Sequence, residues 1–176
     1  MQISADPYVW PFDGRIDAAH TALLCIDWQT DFCGVGGYVD TMGYDLSLTR
    51  RGLEPTARVL DATRKAGWTI IHTREGHRTD LSDCPPNTDL DLLLRTGGIT
   101  HLVFTGITTD VCVHTTMREA NDRGYECLLL SDCTGATDEG NYRAALKMIT
   151  MQGGVFGAVA TSRDLLAALA ASGRHD

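Results

Sequence analysis

The chain has 176 residues, and 23 acidic against 15 basic side chains give a formal net charge of −8 and a pI near 5.1. A length of this order fits one domain, and a hydrophobic share of 43% with 22% charged residues excludes a disordered or fibrous chain. The acidic balance argues against a nucleic-acid partner, no apolar run reaches the ~18 residues of a membrane helix, and Met1 to Trp10 lack signal-peptide features, so a soluble cytoplasmic protein is expected.

In chain order, the first apolar run covers residues 21–27 and reads as a strand. Residues 53–66 follow as a helix that closes on Arg64, Lys65 and Gly67, a basic last turn with a glycine after it. A strand over 69–73 leads into the turn His72-Thr-Arg-Glu-Gly-His-Arg78 and, after Cys84-Pro-Pro-Asn87, a helix over 88–97. Strands over 101–105, 126–130 and 155–160 alternate with helices over 111–123, 138–151 and 162–171, most of them stopped by glycine. The strands are short and continuously apolar, as strands covered on both faces are. Alternation of strand and helix predicts a three-layer α/β/α domain on a parallel sheet with right-handed crossovers.

The six cysteines, at 25, 33, 84, 112, 127 and 133, form no Cys-x-x-Cys pair and have no zinc-finger spacing. Cys25 and Cys127 fall in strands and read as small buried hydrophobes, and without an export signal a disulfide framework is not expected. Ligands of open α/β sheets sit outside the carboxyl ends of the strands. Asp27 ends the first strand, and Cys112 follows the third in what reads as the first turn of a helix. Unpaired N–H groups and the positive dipole end there favour a thiolate and could hold an oxyanion, so the two residues can form a base–nucleophile pair. Position alone also allows Asp27 to be a turn residue, Cys112 a packed hydrophobe and Asp110 a helix cap. His114 reads as packed or capping, Trp28 as core, and Arg118 with Glu119 as a solvated helix face.

The wording of two segments goes further. Ala22-Leu-Leu-Cys-Ile-Asp-Trp-Gln-Thr-Asp-Phe32 and Thr105-Gly-Ile-Thr-Thr-Asp-Val-Cys-Val-His-Thr-Thr-Met-Arg-Glu-Ala120 resemble the two signatures of the isochorismatase-like cysteine hydrolases, and the resemblance runs from about residue 20 to 165. Within that superfamily Gly36-Gly-Tyr-Val-Asp40, Tyr44-Asp-Leu-Ser-Leu-Thr49, Cys84-Pro-Pro-Asn87 and Met151-Gln-Gly-Gly-Val-Phe156 are most similar to the biuret-hydrolysing members. The resemblance implies the isochorismatase-like fold and a Cys–Asp–Lys triad acting on biuret, with allophanate and ammonia as products and a place in nitrogen metabolism. Asp27 would take the thiol proton, Cys112 would attack the carbonyl, and the backbone N–H groups of Thr108 and Cys112 would hold the oxyanion, with a cis peptide before Thr108. By the same resemblance Phe32 lines the pocket, Gln152 contacts the substrate from its own or a neighbouring subunit, no cofactor is needed, and the protein is a homo-oligomer, a tetramer. Triuret, N-carbamoylsarcosine and nicotinamide are alternative substrates.

One part of the pattern is absent. The family carries its lysine between the second strand and the helix before the third, yet the only lysines here are Lys65, at a helix end, and Lys147, inside a helix. A few dozen residues that the resemblance implies between Asn87 and Thr88 are missing from the single domain. Either the sequence omits them, which retention of both reactive motifs favours, or the protein has lost them and is a non-catalytic member that binds or oligomerises. Related nicotinamidases place a metal near the turn that here reads Arg74-Glu-Gly-His77. With at most one carboxylate and the imidazoles of His72 and His77 left there, no metal is expected.

Overall fold

The computed structural model describes residues 1–76 and 89–172. His77, Cys84, Thr88 and the junction between Asn87 and Thr88 lie outside the described residues. Five strands, β1 (Thr21–Ile26), β2 (Thr69–His72), β3 (His101–Ile107), β4 (Glu126–Gly135) and β5 (Ala158–Ala160), form one sheet in the order β2-β1-β3-β4-β5, every pair parallel. The apolar runs form strands because both faces are covered. Ala22, Leu24 and Ile26 of β1 join Leu102, Phe104 and Leu129 in one core, while Leu23, Cys25, Val103, Leu128 and Leu130 join the other. Each leucine or phenylalanine so buried contributes about 1.5–3 kcal/mol.

The helices divide accordingly. Val59 of α4 (Leu53–Lys65) and Leu165 of α8 (Ser162–Ser172) pack on the second core. Leu94 of α5 (Asp89–Thr96), Met117 and Ala120 of α6 (His114–Asp122), and Ile149 of α7 (Glu139–Thr150) pack on the first. These elements match the expected helices to within a few residues. The expected three-layer α/β/α architecture is the one observed. Three further helices, α1 (Thr30–Cys33), α2 (Tyr38–Thr41) and α3 (Leu46–Arg50), were not expected from the sequence; each is about one turn long and has no amphipathic period to read.

Two differences bear on the site. The strand expected at 126–130 runs on to Gly135, and its register shifts: Phe104 pairs with Leu129 but Gly106 with Thr134, so two steps along β3 match five along β4. The strand expected at 155–160 pairs only over Ala158–Ala160, since Val155 lies in a turn. At that edge the chain's first residues fold back, Ile3 against Trp10, and Asp6 exchanges backbone hydrogen bonds of 2.8 Å with Val159, antiparallel to β5. Among the described residues no helix is long and apolar enough to cross a membrane.

Candidate active site

The chain goes from β1 out to β2 on one side, then crosses back past β1 to β3 and on to β4, so the strand order reverses between β1 and β3. At such a switch point a crevice opens outside the carboxyl ends. Asp27 follows β1 there with φ of 51°, a left-handed backbone that is uncommon outside glycine and costs of order 1 kcal/mol or more. Its carboxylate is buried, and the Thr73 hydroxyl just beyond β2 donates to Oδ1 at 2.6 Å while accepting from the Asp27 N–H at 3.2 Å. The next turn is clamped as well. Gln29 accepts from the Glu75 N–H at 2.9 Å and donates to the Glu75 carbonyl at 3.0 Å.

Cys112 comes from the other side of the crevice. A cis peptide joins Ile107 to Thr108, where the resemblance places one. The chain then turns over Thr109–Val113 with π rather than α geometry, the Val113 N–H reaching the Thr108 carbonyl five residues back at 3.2 Å. The first α turn expected around Cys112 is therefore a wider π turn, a form that recurs at functional sites. The thiol is half-buried, and the Asp27 carboxylate and the Thr108 backbone N–H are close enough to act on it in opposite directions. Asp27, Thr108 and Cys112 are thus brought together.

The thiol itself corrects an expectation. A helix N-terminus was expected to lower its pKa, but burial, the Asp27 hydrogen bond and charge, and the nearby Glu75 charge push it up to about 11, against a lowering contribution from the Thr108 N–H. Desolvation disfavours the charged thiolate, and both neighbouring charges are negative. The sulfur holds its proton and needs a base.

The other residues singled out from the sequence sort as follows. Phe32, in α1, is half-buried at the same end of the sheet as Asp27. Gln152 is exposed, with φ of 54°, in the turn Met151–Gly153 after α7. Because α7 runs back from the carboxyl end of β4, that turn lies about 18 Å, one 12-residue helix, below its start, and it is not brought to Cys112. Asp110 is not the cap expected: neither the π turn nor α6 has a side-chain cap hydrogen bond, and the buried Asp110 Oδ1 has no hydrogen-bond partner. Arg118 and Glu119 are exposed, as expected of a solvated helix face, and Arg118 also donates to His114 Nδ1 at 3.3 Å and lies 4.3 Å over the Phe156 ring. His114 packs edge-on against the same ring, and burial holds its imidazole below the usual range. Trp28 packs in the core as expected, with its Nε1 unpartnered. Lys65 and Lys147 stand at the end of α4 and within α7, as read from sequence. Among the described residues no group of three His, Cys, Asp or Glu side chains could hold a metal. Thr73, Gln29 and Glu75 were missed; the pairing of β2 beside β1, ending at Cys25 with His72, would have pointed to them.

A family model described as the isochorismatase domain matches residues 21–87 and 82–164, most of the chain. The chain belongs to the isochorismatase family. Ureidoacrylate amidohydrolase RutB of Variovorax paradoxus (strain S110) is 27% identical over 176 positions, taking in 68% of this chain and 70% of the relative. The RutB protein of Methylobacterium radiotolerans is 29% identical over 192 positions, with 76% and 74% covered. In the first alignment nearly a third of the positions therefore face no residue of this chain. Among solved structures, a cysteine hydrolase from Pseudomonas syringae pv. phaseolicola superposes with a TM-score of 0.77 at 22% identity, over 91% of this chain and 97% of that one. The isochorismatase fold is thus shared well beyond the range of close sequence similarity.

Proposed function

We propose that this isochorismatase-family chain is a cysteine-dependent amidohydrolase that cleaves a C–N bond of biuret, giving allophanate and ammonia. The observation that carries the reading is the half-buried Cys112 thiol beside the buried Asp27 carboxylate, with the Thr108 N–H also acting on it. Asp27 takes the thiol proton as the sulfur attacks a carbonyl carbon, and the N–H groups of Thr108 and Cys112 receive the oxyanion. The C–N bond then breaks, ammonia departs with the proton that Asp27 held, and water hydrolyses the thioester left on Cys112. Phe32 walls the pocket. Gln152 meets the substrate from a second copy of the chain in a homo-oligomer, a tetramer, since within one chain it lies a helix length away. No cofactor takes part.

The named activity of the RutB relatives makes ureidoacrylate the second candidate. Charge favours biuret: the described charges that act on the thiol, Asp27 and Glu75, are both negative, and they oppose an anionic substrate while accepting N–H groups of a neutral ureide.

The triad's cation is proposed to lie on a segment between Asn87 and Thr88 that the full protein carries. The gapped alignment and a family match in two segments meeting at residues 82–87 support this. One experiment tests both. Protein purified from its native source is weighed intact and assayed for ammonia from biuret and for consumption of ureidoacrylate. The expected result is a mass several kilodaltons above 19.1 kDa and turnover of biuret in preference to ureidoacrylate. A mass of 19.1 kDa overturns the extra segment, and hydrolysis should then be about 100- to 1000-fold weaker for want of one electrostatic donor. A folded, full-mass protein that consumes neither ureide overturns the activity.

A further inference from the structure

Behind the nucleophile's loop lies a pair of fully buried hydroxyls that the steps above do not use. Thr134 Oγ1 donates to the Gly106 carbonyl at 2.7 Å, and Thr109 Oγ1 lies 2.8 Å from Thr134 Oγ1. A carbonyl can only accept, so the single Thr134 proton is committed to Gly106 and Thr109 must be the donor to Thr134. Gly106 stands two residues before Thr108 and Thr109 one residue after it. One side chain on the neighbouring strand therefore ties the Gly106 carbonyl to the Thr109 side chain, one on each side of Thr108, whose N–H acts on the Cys112 thiol.

The register shows how Thr134 reaches that place. Regular pairing from Phe104 with Leu129 would set Ser131 beside Gly106; the extra residues in β4 set Thr134 there instead. Ser131 is used elsewhere, its hydroxyl donating to the Ala160 carbonyl at 3.0 Å. A buried hydroxyl between central strands carries a desolvation cost that valine, of the same shape, avoids.

We infer that Thr134, acting through Thr109 and Gly106, is a positioning residue that holds the Thr108 N–H where the oxyanion forms. The inference rests on the reading of Cys112 as nucleophile, but not on the identity of the natural substrate, and it is tested without that substrate. In acylation by p-nitrophenyl acetate the Cys112 sulfur bonds to the carbonyl carbon, its proton passes to Asp27, an oxyanion forms and collapses, and p-nitrophenolate leaves. In alkylation by iodoacetamide the same sulfur displaces iodide from a saturated carbon and no oxyanion forms. The ratio of the two rates at one pH isolates the oxyanion donors.

Thr134→Val is expected to slow acylation about 10- to 100-fold, the cost of misplacing a donor, with alkylation unchanged within twofold. Thr134→Ser should restore acylation to within a few-fold. Thr109→Val, which removes only the outer hydrogen bond, should lower the ratio in the same direction should Thr134→Val fail to fold. Thr63→Val, a buried hydroxyl bonded to the Val59 carbonyl inside α4 at 2.9 Å, should leave both rates alone. Acylation and alkylation falling together, or neither falling in either valine variant, overturns the positioning role. Acetyl recovered on a residue other than Cys112 overturns the nucleophile and this role with it. Normal acetylation of Cys112 in a chain that consumes no ureide overturns only the proposed substrate.

Discussion

Asp27→Asn is expected to slow amide hydrolysis roughly 100- to 10,000-fold, the range for loss of a general base, while making Cys112 easier to alkylate. The two effects have one cause. The buried thiol is pushed up to about 11, and the Asp27 hydrogen bond and negative charge are, after burial, the largest contributors. Both favour the protonated sulfur, so removing them lowers the thiol pKa toward its ordinary value and raises the thiolate fraction at any pH below it. Measured with iodoacetamide, labelling of Cys112 in the unaltered chain should climb with pH through about 11, and the asparagine variant should reach its midpoint at lower pH. Turnover moves the other way, since the extra thiolate gains nothing when no base returns a proton to the leaving nitrogen. Cys112→Ser should abolish turnover altogether. An Asp27→Asn variant with a lower midpoint and undiminished hydrolysis would remove Asp27 from the chemistry. The midpoint of about 11 belongs to the 176-residue chain; in a full protein that carries the proposed segment, the added cation should bring the midpoint down toward the ordinary thiol value.

Gly106→Ala is expected to destabilise the fold by about 4 kcal/mol or more, at the upper end of single-substitution effects. Gly106 has φ of 131°, and a Cβ there would lie 2.2 Å from the Ile26 carbonyl oxygen and 2.6 Å from its Cβ. Neither neighbour can give way, because Ile26 is a buried residue of the strand that pairs with Gly106 itself. The overlap must be relieved by parting β1 from β3 at the point where Asp27 and Cys112 meet. Urea unfolding followed by circular dichroism would show a midpoint shifted far down, or no cooperative transition. An unchanged midpoint would mean that the two strands are not in contact there.

The sheet was legible because both of its faces are covered: runs such as Ala22-Leu-Leu-Cys-Ile26 can be nothing but buried strand once Gly67 and Gly124 mark where the intervening helices stop. Topology made Asp27 and Cys112 candidates, each lying shortly after a central strand, and the resemblance of their two segments to the family signatures singled them out. What sequence could not show was the environment of the sulfur. Helix polarity suggested an acidic thiol, but desolvation and two carboxylates, one of them Glu75 from a turn 37 positions earlier, outweigh a terminus that is not α-helical at all. The hydroxyl pair of Thr109 and Thr134 was hidden for a related reason, since the register that joins them depends on residues of β4 that pair with nothing in β3. Arg118 is exposed as read, but its contact with the Phe156 ring was not legible, because Phe156 arrives from a turn whose path no local pattern encodes.

The short antiparallel rung between Asp6 and Val159 has a consequence unrelated to catalysis. A three-residue strand at the end of a sheet offers free amide and carbonyl groups to any extended segment that meets it, including the same strand of another molecule. By occupying those groups, the first ten residues act as a built-in competitor for intermolecular strand addition. Changes there should be felt in how concentrated the protein can become before it associates, long before they are felt at the sulfur.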